Sequence, residues 1–441
     1  MATEGGDGTA AAQLLITGGH RLRGRVQVAG SKNAALAIMA ASLLTPEPLH
    51  LRNVPRILDT ALMAEIVQAV GGRSKHDGEG RITLQATQVT DRVPAQMAQR
   101  MRASIVLLGP LLARTGEGRL TRPGGDQIGA RRVEQHLRGF RAMGAQVEET
   151  EHEIIARSQG RLRGARIVLD LPTVTGTESL VMAATLAEGR TEIFNAAREP
   201  HVQDLCRLLN KMGADVRGAG TDQIVIYGGR RLRGTDHQIV PDYLEAGTYA
   251  IAAAAAGGDV TIEECPNEDL QQALLKLEEV GVQLEQRNRT LRVRRDPGRT
   301  LQAVDMGTWV HPGFPTDLQA QYMALMTQAQ GSCVISEYIF ENRFQHATEL
   351  NRMGASIEIN GRDALVTGPR QLQGATVGVS DIRSGAALVI AALCAHGVSA
   401  IEQAWHLDRG YEDLVEKFVA LGADLERRPA AVPAGRRVEP A

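Results

Sequence analysis

One phrase recurs six times along the 441 residues: an apolar residue, then a glycine, then a small or β-branched residue. The copies are Val70-Gly71-Gly72, Met143-Gly144-Ala145, Met212-Gly213-Ala214, Val280-Gly281-Val282, Met353-Gly354-Ala355 and Leu421-Gly422-Ala423. Spacing of about 70 residues per copy marks an internally repeated architecture. Each copy closes an amphipathic helical stretch, such as DLCRLLNKMGA from Asp204 or LQQALLKLEEVGV from Leu270. Ahead of it lies a second helical stretch that is apolar nearly all round. These begin at Asn33, Arg102, Gly176, Glu245, Asp317 and Ile382, and a helix without a polar face belongs in a core. Five of the six run into a glycine, an expected stop. Strand-like phrases with alternating Leu or Val, such as GGHRLRGRVQV from Gly18 and GPRQLQGATVGV from Gly368, complete the unit.

The length predicts two domains, since a single core rarely grows so large. The reading is α/β, with buried helices inside and sheets around them, three units to a domain. Periodicity gives the units but not the grouping by threes. The expected first domain is 31–240, and the second is 14–30 plus 241–427, so that two crossings make a hinge near Gly30-Ser31 and Val240-Pro241. Residues 1–13 and 428–441 read as disordered tails.

Aromatic residues are only 3%, so Ala, Val, Leu and Ile must build the core. A formal charge of −2 argues against a nucleic-acid binder while permitting a local cationic pocket. No apolar run reaches the ~18–20 residues that span a bilayer, and the first residues lack a signal-peptide layout, so a cytoplasmic location is expected. Cys206, Cys265, Cys333 and Cys394 lack metal-ligand spacing and read as buried apolar thiols; no metal is expected.

The starts of the buried helices carry unusual residues. Lys32-Asn33, Arg102 and Arg383 place cations where the helix dipole is already positive, which is unfavourable without an anion opposite. Asp242 and Asp317 read as ordinary capping or first-turn acids. The loop 123–132, PGGDQIGARR, joins glycines that permit close backbone approach to two arginines suited to phosphate or carboxylate. Two further polar phrases stand out, FENRF at 340–344 and HLDRGYE at 406–412, the latter taken to open the last amphipathic helix.

These phrases carry a resemblance to the enolpyruvyl transferases. The matching segments are GSKNAAL (30–36), MRASIVLLGPLLA (101–113), PGGDQIGAR (123–131), NAAREP (195–200), HPGFPTDLQAQ (311–321), FENRF and HLDRGYE, from about residue 15 to 427. The resemblance implies two inside-out α/β domains of three units each, the EPSP synthase-like fold, closing over the substrates. It also implies transfer of the enolpyruvyl group of phosphoenolpyruvate to the 3'-hydroxyl of UDP-N-acetylglucosamine with release of phosphate, the first committed step of peptidoglycan synthesis. No cofactor is implied. The shikimate-pathway branch is not expected to show the PGG…IGAR and FENRF phrases.

By resemblance Lys32, Asn33, Arg131, Arg383 and Arg409 hold phosphoenolpyruvate, with Arg102 completing the cationic site. Asp317 stands where a base serves the sugar hydroxyl. The nucleotide sugar is implied to meet Asn33, Arg102, Asp317, the loop Arg131, Arg132, Val133, Glu134 and Gln135, the segment Leu171, Pro172, Thr173 and Val174, and Ile339. Asp126 replaces the cysteine usual at the fourth position of PGGC. A carboxylic acid can deliver the same proton to the vinyl carbon, but thioether chemistry is gone, so the chain is expected to be insensitive to the epoxide inhibitor fosfomycin. Arg132 and Glu134 replace the Pro and Asp of the common loop. Two alternatives follow: a transferase acting on another uridine-type acceptor, and a non-catalytic nucleotide-sugar binder. The empty cationic cleft is expected to repel itself.

Overall fold

The computed structural model describes residues 12–296 and 298–429. The six recurrent glycines share one conformation. Gly71, Gly144, Gly213, Gly281, Gly354 and Gly422 all have φ between 90° and 105°, a left-handed backbone that side chains disfavour. Each ends an amphipathic helix, and the residue after it donates its N–H back to the last turn, as Gly72 does to Val67 at 2.8 Å and Ala214 to Leu209 at 3.0 Å. The repeated phrase is therefore a repeated helix stop that turns the chain into the next strand.

The stretches expected to be buried form the helices Lys32–Ala41, Leu108–Thr115 after a 3-10 turn Arg102–Leu107, Val174–Leu186, Tyr243–Ala256, Gln319–Met326 after a turn Thr316–Leu318, and Ile382–Cys394. Only two of them stop at a glycine cap, Gly116 and Gly257; the others end at Ser42, Ala187, Thr327 and Ala395, where the chain leaves the helix without needing a positive φ. Around the helices stand six sheets among the described residues, five of four strands and one of three. Sheets are shared between units: Thr235–Gln238 pairs in parallel with Leu49–Arg52, and Leu22–Gln27 with Gly258–Glu263.

Two hydrophobic cores result. One runs from Ala34 to Ile239; the other joins Leu14–Val28 to residues between Tyr243 and Leu425. The two connections between them touch: Ser31 N–H donates to Val240 at 2.7 Å, and Asp242 N–H donates to Ala29 at 2.9 Å. The expected tails need trimming. Ala12 and Gln13 already belong to the strand Ala12–Thr17, paired with Arg428 and Pro429 of the strand Asp424–Pro429, because backbone pairing between the two strands extends through these residues. The rest of each expected tail lies outside the described residues. Cys206, Cys265 and Cys333 are buried, and burial pushes their thiols up to about 12. Cys394 is half-buried. No described helix is long and apolar enough to cross a membrane.

Candidate active site

Lys32 is the first residue of its helix, capped by Ser31, and its backbone N–H donates to Asp242 at 3.1 Å. Asp242 also accepts from Leu244 and Glu245, so it is the capping acid expected of it. The Lys32 ammonium reaches the Asp59 carboxylate at 2.8 Å, and Arg409 meets the other oxygen of Asp59 at 3.1 Å. Arg409 extends further to Asp126 at 2.6 Å. Burial works against the Asp59 carboxylate, yet Lys32 and Arg409 outweigh it and hold the carboxyl below its ordinary value.

The second cluster is built by the other core. Asp317 is a first-turn acid, in the turn Thr316–Leu318 that leads into its helix, and makes no capping bond. Both its oxygens are taken by arginines instead, Arg343 at 2.8 Å and Arg383 at 3.1 Å. Burial opposes its ionisation, but these two cations prevail and hold it well below the carboxylate range. The capping acid of the last buried helix is Asp381, which accepts from the N–H groups of Arg383 and Ser384. Arg343 also donates to Thr316 at 2.7 Å. Glu337, fully buried beneath it, accepts from the hydroxyls of Thr308 and Thr316 and the N–H groups of Ile339 and Phe340.

Arg131 joins the clusters. It has φ +43°, shares the Phe340 ring with Arg343, their guanidinium carbons 5.8 and 5.3 Å from its centroid, and feels Asp126, Arg343, Asp317 and Arg409. Burial lowers it first, and the neighbouring arginines add to that. Arg102 donates to the Arg131 carbonyl; burial and then Arg131 push it down to about 10. So the cations at helix starts are answered in two different ways. Lys32 and Arg383 meet protein carboxylates, whereas Arg102 meets a carbonyl. The self-repulsion expected of the cleft is relieved in part: Asp59, Asp126 and Asp317 pair with Lys32, Arg343, Arg383 and Arg409, while Arg131 and Arg102 are still lowered by neighbouring arginines.

The glycine-rich loop lies against the FENRF loop. Ala130 N–H donates to Glu341 at 2.6 Å, and Asn342 N–H donates to Ile128 at 3.2 Å. A Cβ at Gly124 would sit 1.7 Å from the Gln99 carbonyl, so that position excludes a side chain, while one at Gly129 would sit 2.6 Å from a Glu341 oxygen and push that carboxylate aside. HLDRGYE does not open the last helix. It forms a separate turn, Trp405–Asp408, and a bend before Leu414–Ala420, which aims Arg409 sideways at Asp59 and Asp126.

The implied nucleotide-sugar residues differ in availability. Arg132 and Glu134 are exposed and Asn33 is half-buried beside Lys32. Val133 is buried in the core, so only its backbone is free to meet a ligand. Gln135 accepts from Asp170 N–H at 2.6 Å and donates to the Leu171 carbonyl at 3.1 Å, bracing the two segments together. Leu171 is 69% exposed. Thr173 caps the helix Val174–Leu186, while Pro172 and Ile339 are half-buried. Among the described residues no His, Cys, Asp and Glu side chains group to hold a metal ion. Asp59, Arg343, Glu337 and Tyr411 escaped the sequence reading as site residues. The only signal for Asp59 was an acid in the first turn of an amphipathic helix, on its buried face.

The sequence pattern of the family described as EPSP synthase (3-phosphoshikimate 1-carboxyvinyltransferase) matches residues 16–418. The chain belongs to the EPSP synthase family of enolpyruvyl transferases. Within this enolpyruvyl transferase family, the UDP-N-acetylglucosamine 1-carboxyvinyltransferase of Sorangium cellulosum (strain So ce56) is 50% identical over 94% of this chain and 98% of its own. The protein of that name from Magnetococcus marinus is 47% identical over 94% of this chain and 99% of its own. The solved enolpyruvyl transferase NikO of Streptomyces tendae superposes with a TM-score of 0.86 at 27% identity, covering 95% of this chain and 99% of its own. An EPSP synthase from Acinetobacter baumannii, at 19% identity and TM-score 0.74 over 95% of this chain and all of its own, shares the fold.

Proposed function

We propose that this chain transfers the enolpyruvyl group of phosphoenolpyruvate to the 3'-hydroxyl of UDP-N-acetylglucosamine, releasing phosphate, as the first committed step of peptidoglycan synthesis in the cytoplasm. The observation that carries the reading is the near-full-length identity of about half to relatives bearing that activity in their names. The site is chemically suited to it. Lys32, Arg131, Arg383 and Arg409 present fixed cations to a small molecule that carries a phosphate and a carboxylate, and preorganised charge is what stabilises such a transition state.

Addition forms a C–O bond between the sugar oxygen and C2 of phosphoenolpyruvate, while C3 gains a proton. Elimination then breaks the C–O bond to phosphate, which leaves, and C3 returns a proton. Asp126, paired with Arg409 before substrate binds, takes up a proton from solvent when the anions of phosphoenolpyruvate take over Arg409, and then donates it to C3 in this scheme, while Asp317 receives the hydroxyl proton. Both oxygens of Asp317 are engaged by arginines, so substrate anions that draw Arg383 or Arg343 away free an oxygen for that work. The two cores act as two domains, 31–240 and 14–30 with 241–427, joined at the paired crossings. Purified protein should release phosphate from phosphoenolpyruvate when given UDP-N-acetylglucosamine and not when given UMP. Release with UMP alone favours another uridine-type acceptor, the reading that exposed Arg132 and Glu134 motivate. Binding without release favours a non-catalytic role.

A further inference from the structure

Five of the six residues from Asp408 to Asp413 make long-range attachments. Asp408 holds Arg427 through two bonds at 2.6 and 2.8 Å. Arg409 reaches Asp59 and Asp126, while Glu412 and Asp413 both take Arg56. Those partners of Arg409, Glu412 and Asp413 lie in or beside the first core. Tyr411, between them, turns the opposite way into the second core and is 3% exposed.

The Tyr411 hydroxyl lies 3.1 Å from Arg383 Nη1, 3.0 Å from Thr248 Oγ1 and 3.3 Å from Gln321 Nε2. Arg383 also sits over the ring, its guanidinium carbon 5.4 Å from the centroid. Gln321 Nε2 has two hydrogens for three oxygens, the Tyr411 hydroxyl, Thr248 Oγ1 at 3.2 Å and the Asp317 carbonyl, so the two hydroxyls share one of them. A guanidinium only donates, so the phenol oxygen accepts from Arg383. Its single hydrogen goes to Thr248, whose own hydrogen goes to the Leu244 carbonyl at 2.8 Å. Gln321 Nε2 also donates to the Asp317 carbonyl at 2.9 Å. Arg383 is thus held by ring and hydroxyl on one side while its Nε donates to Asp317 on the other. Tyr411 also lines a pocket of about 590 Å³ between Val54–Ala61 and Leu414–Glu416.

We propose that Tyr411 is a positioning residue for the reaction: it orients Arg383, and through it the Arg383–Asp317 pair, once the 408–413 segment is docked on the first domain. The inference rests on the proposed transferase reading. Because Arg383 is assigned to phosphoenolpyruvate, Tyr411 should govern that substrate selectively and not the nucleotide sugar.

Tyr411→Phe keeps the ring under the guanidinium and removes only the oxygen. The expected result is a fall of about tenfold in kcat/KM for phosphoenolpyruvate, equal to about 1.4 kcal/mol, with KM for UDP-N-acetylglucosamine changed less than about twofold. In an Arg383→Ala background, single-turnover phosphate release should show no further loss from Tyr411→Phe, since residues acting through one another are not additive. Equal losses in both backgrounds, or parallel losses for both substrates, would reduce Tyr411 to a structural role and overturn the proposal. If Tyr411→Phe does not fold, Thr248→Val, which removes the acceptor of the Tyr411 hydrogen, must give the same phosphoenolpyruvate-selective loss; an unchanged KM there also overturns it. A wild-type protein that releases no phosphate defeats the transferase reading, whereas an active wild type with an indifferent Tyr411→Phe defeats only this inference.

Discussion

Arg409 donates to Asp126 at 2.6 Å, joining the last unit of one core to the glycine-rich loop of the other. The loop residue assigned to proton donation is therefore engaged in an ion pair before any substrate arrives. Replacing a thiol by this carboxylate removes the strong nucleophile that opens a strained epoxide. Incubation with fosfomycin should leave the protein's mass unchanged and its activity intact, while Asp126→Cys should gain the mass of one inhibitor molecule and lose activity. Asp126→Asn should lose most turnover, because an amide supplies no proton. An adduct at Asp126, or an active Asp126→Asn variant, would remove it from the acid's role.

Lys32→Ala and Arg409→Ala should each lower turnover by about 30-fold or more, the effect of removing a contact worth about 2–5 kcal/mol. Each also leaves Asp59, whose side chain is only 4% exposed, with one cation in place of two. Leaving a buried charge wholly unpaired costs about 3–5 kcal/mol of stability, so thermal midpoints should fall as well, by less than that cost implies. Activity should be normalised to folded protein by circular dichroism, and near-normal turnover in either variant would show that these cations serve the fold alone.

Asp317→Ala should reduce rate far more than affinity for UDP-N-acetylglucosamine, measured by calorimetry, because the Arg131–Gln135 and Leu171–Val174 segments lie on other elements. It should also destabilise the protein, since Arg343 and Arg383 lose their shared carboxylate and face each other. Loss of nucleotide-sugar binding together with turnover would mean that Asp317 organises the pocket without acting on the substrate.

At the crossing between the cores, Glu245 accepts from Ala29 N–H at 2.8 Å and meets Lys417 at 2.6 Å. Burial nevertheless dominates and pushes its carboxyl up to about 7, with Lys417 opposing. A carboxyl raised in the folded state stabilises fully below its ordinary value of 4.5, and that contribution is lost as pH rises towards about 7. Glu245→Gln should therefore flatten the fall in thermal midpoint between about pH 5 and 7. An unaltered pH profile would assign the titration elsewhere.

What the sequence made legible was periodic. The six glycines and the six largely apolar helices follow from patterns that local backbone rules enforce, and a left-handed helix stop can be read from Met-Gly-Ala alone, whereas the grouping by threes and its two crossings leave no periodic signal. Lys32, Arg102 and Arg383 were visible because a lysine or arginine at a helix start is locally wrong. Their carboxylate partners were hidden for the converse reason. Asp59 in a first helical turn is locally favourable, and only tertiary placement puts it between Lys32 and Arg409. Likewise Asp317 read locally as a capping or first-turn acid, because two arginines from distant units leave no trace at its own position.

The strand Ala12–Thr17 lies between Val398–Glu402 and Asp424–Pro429, so the earliest described strand pairs only with two of the last. A ribosome adding about 5–20 residues per second takes roughly 20–80 s to make the intervening chain. Throughout that time the ribbon carrying buried Leu14 and Ile16 has no native neighbour, whereas the core from Ala34 to Ile239 is complete and able to consolidate. Translation order thus imposes a waiting period on one edge of the molecule, and the yield of correctly paired protein should depend on how that ribbon is shielded during synthesis more than on the stability finally reached.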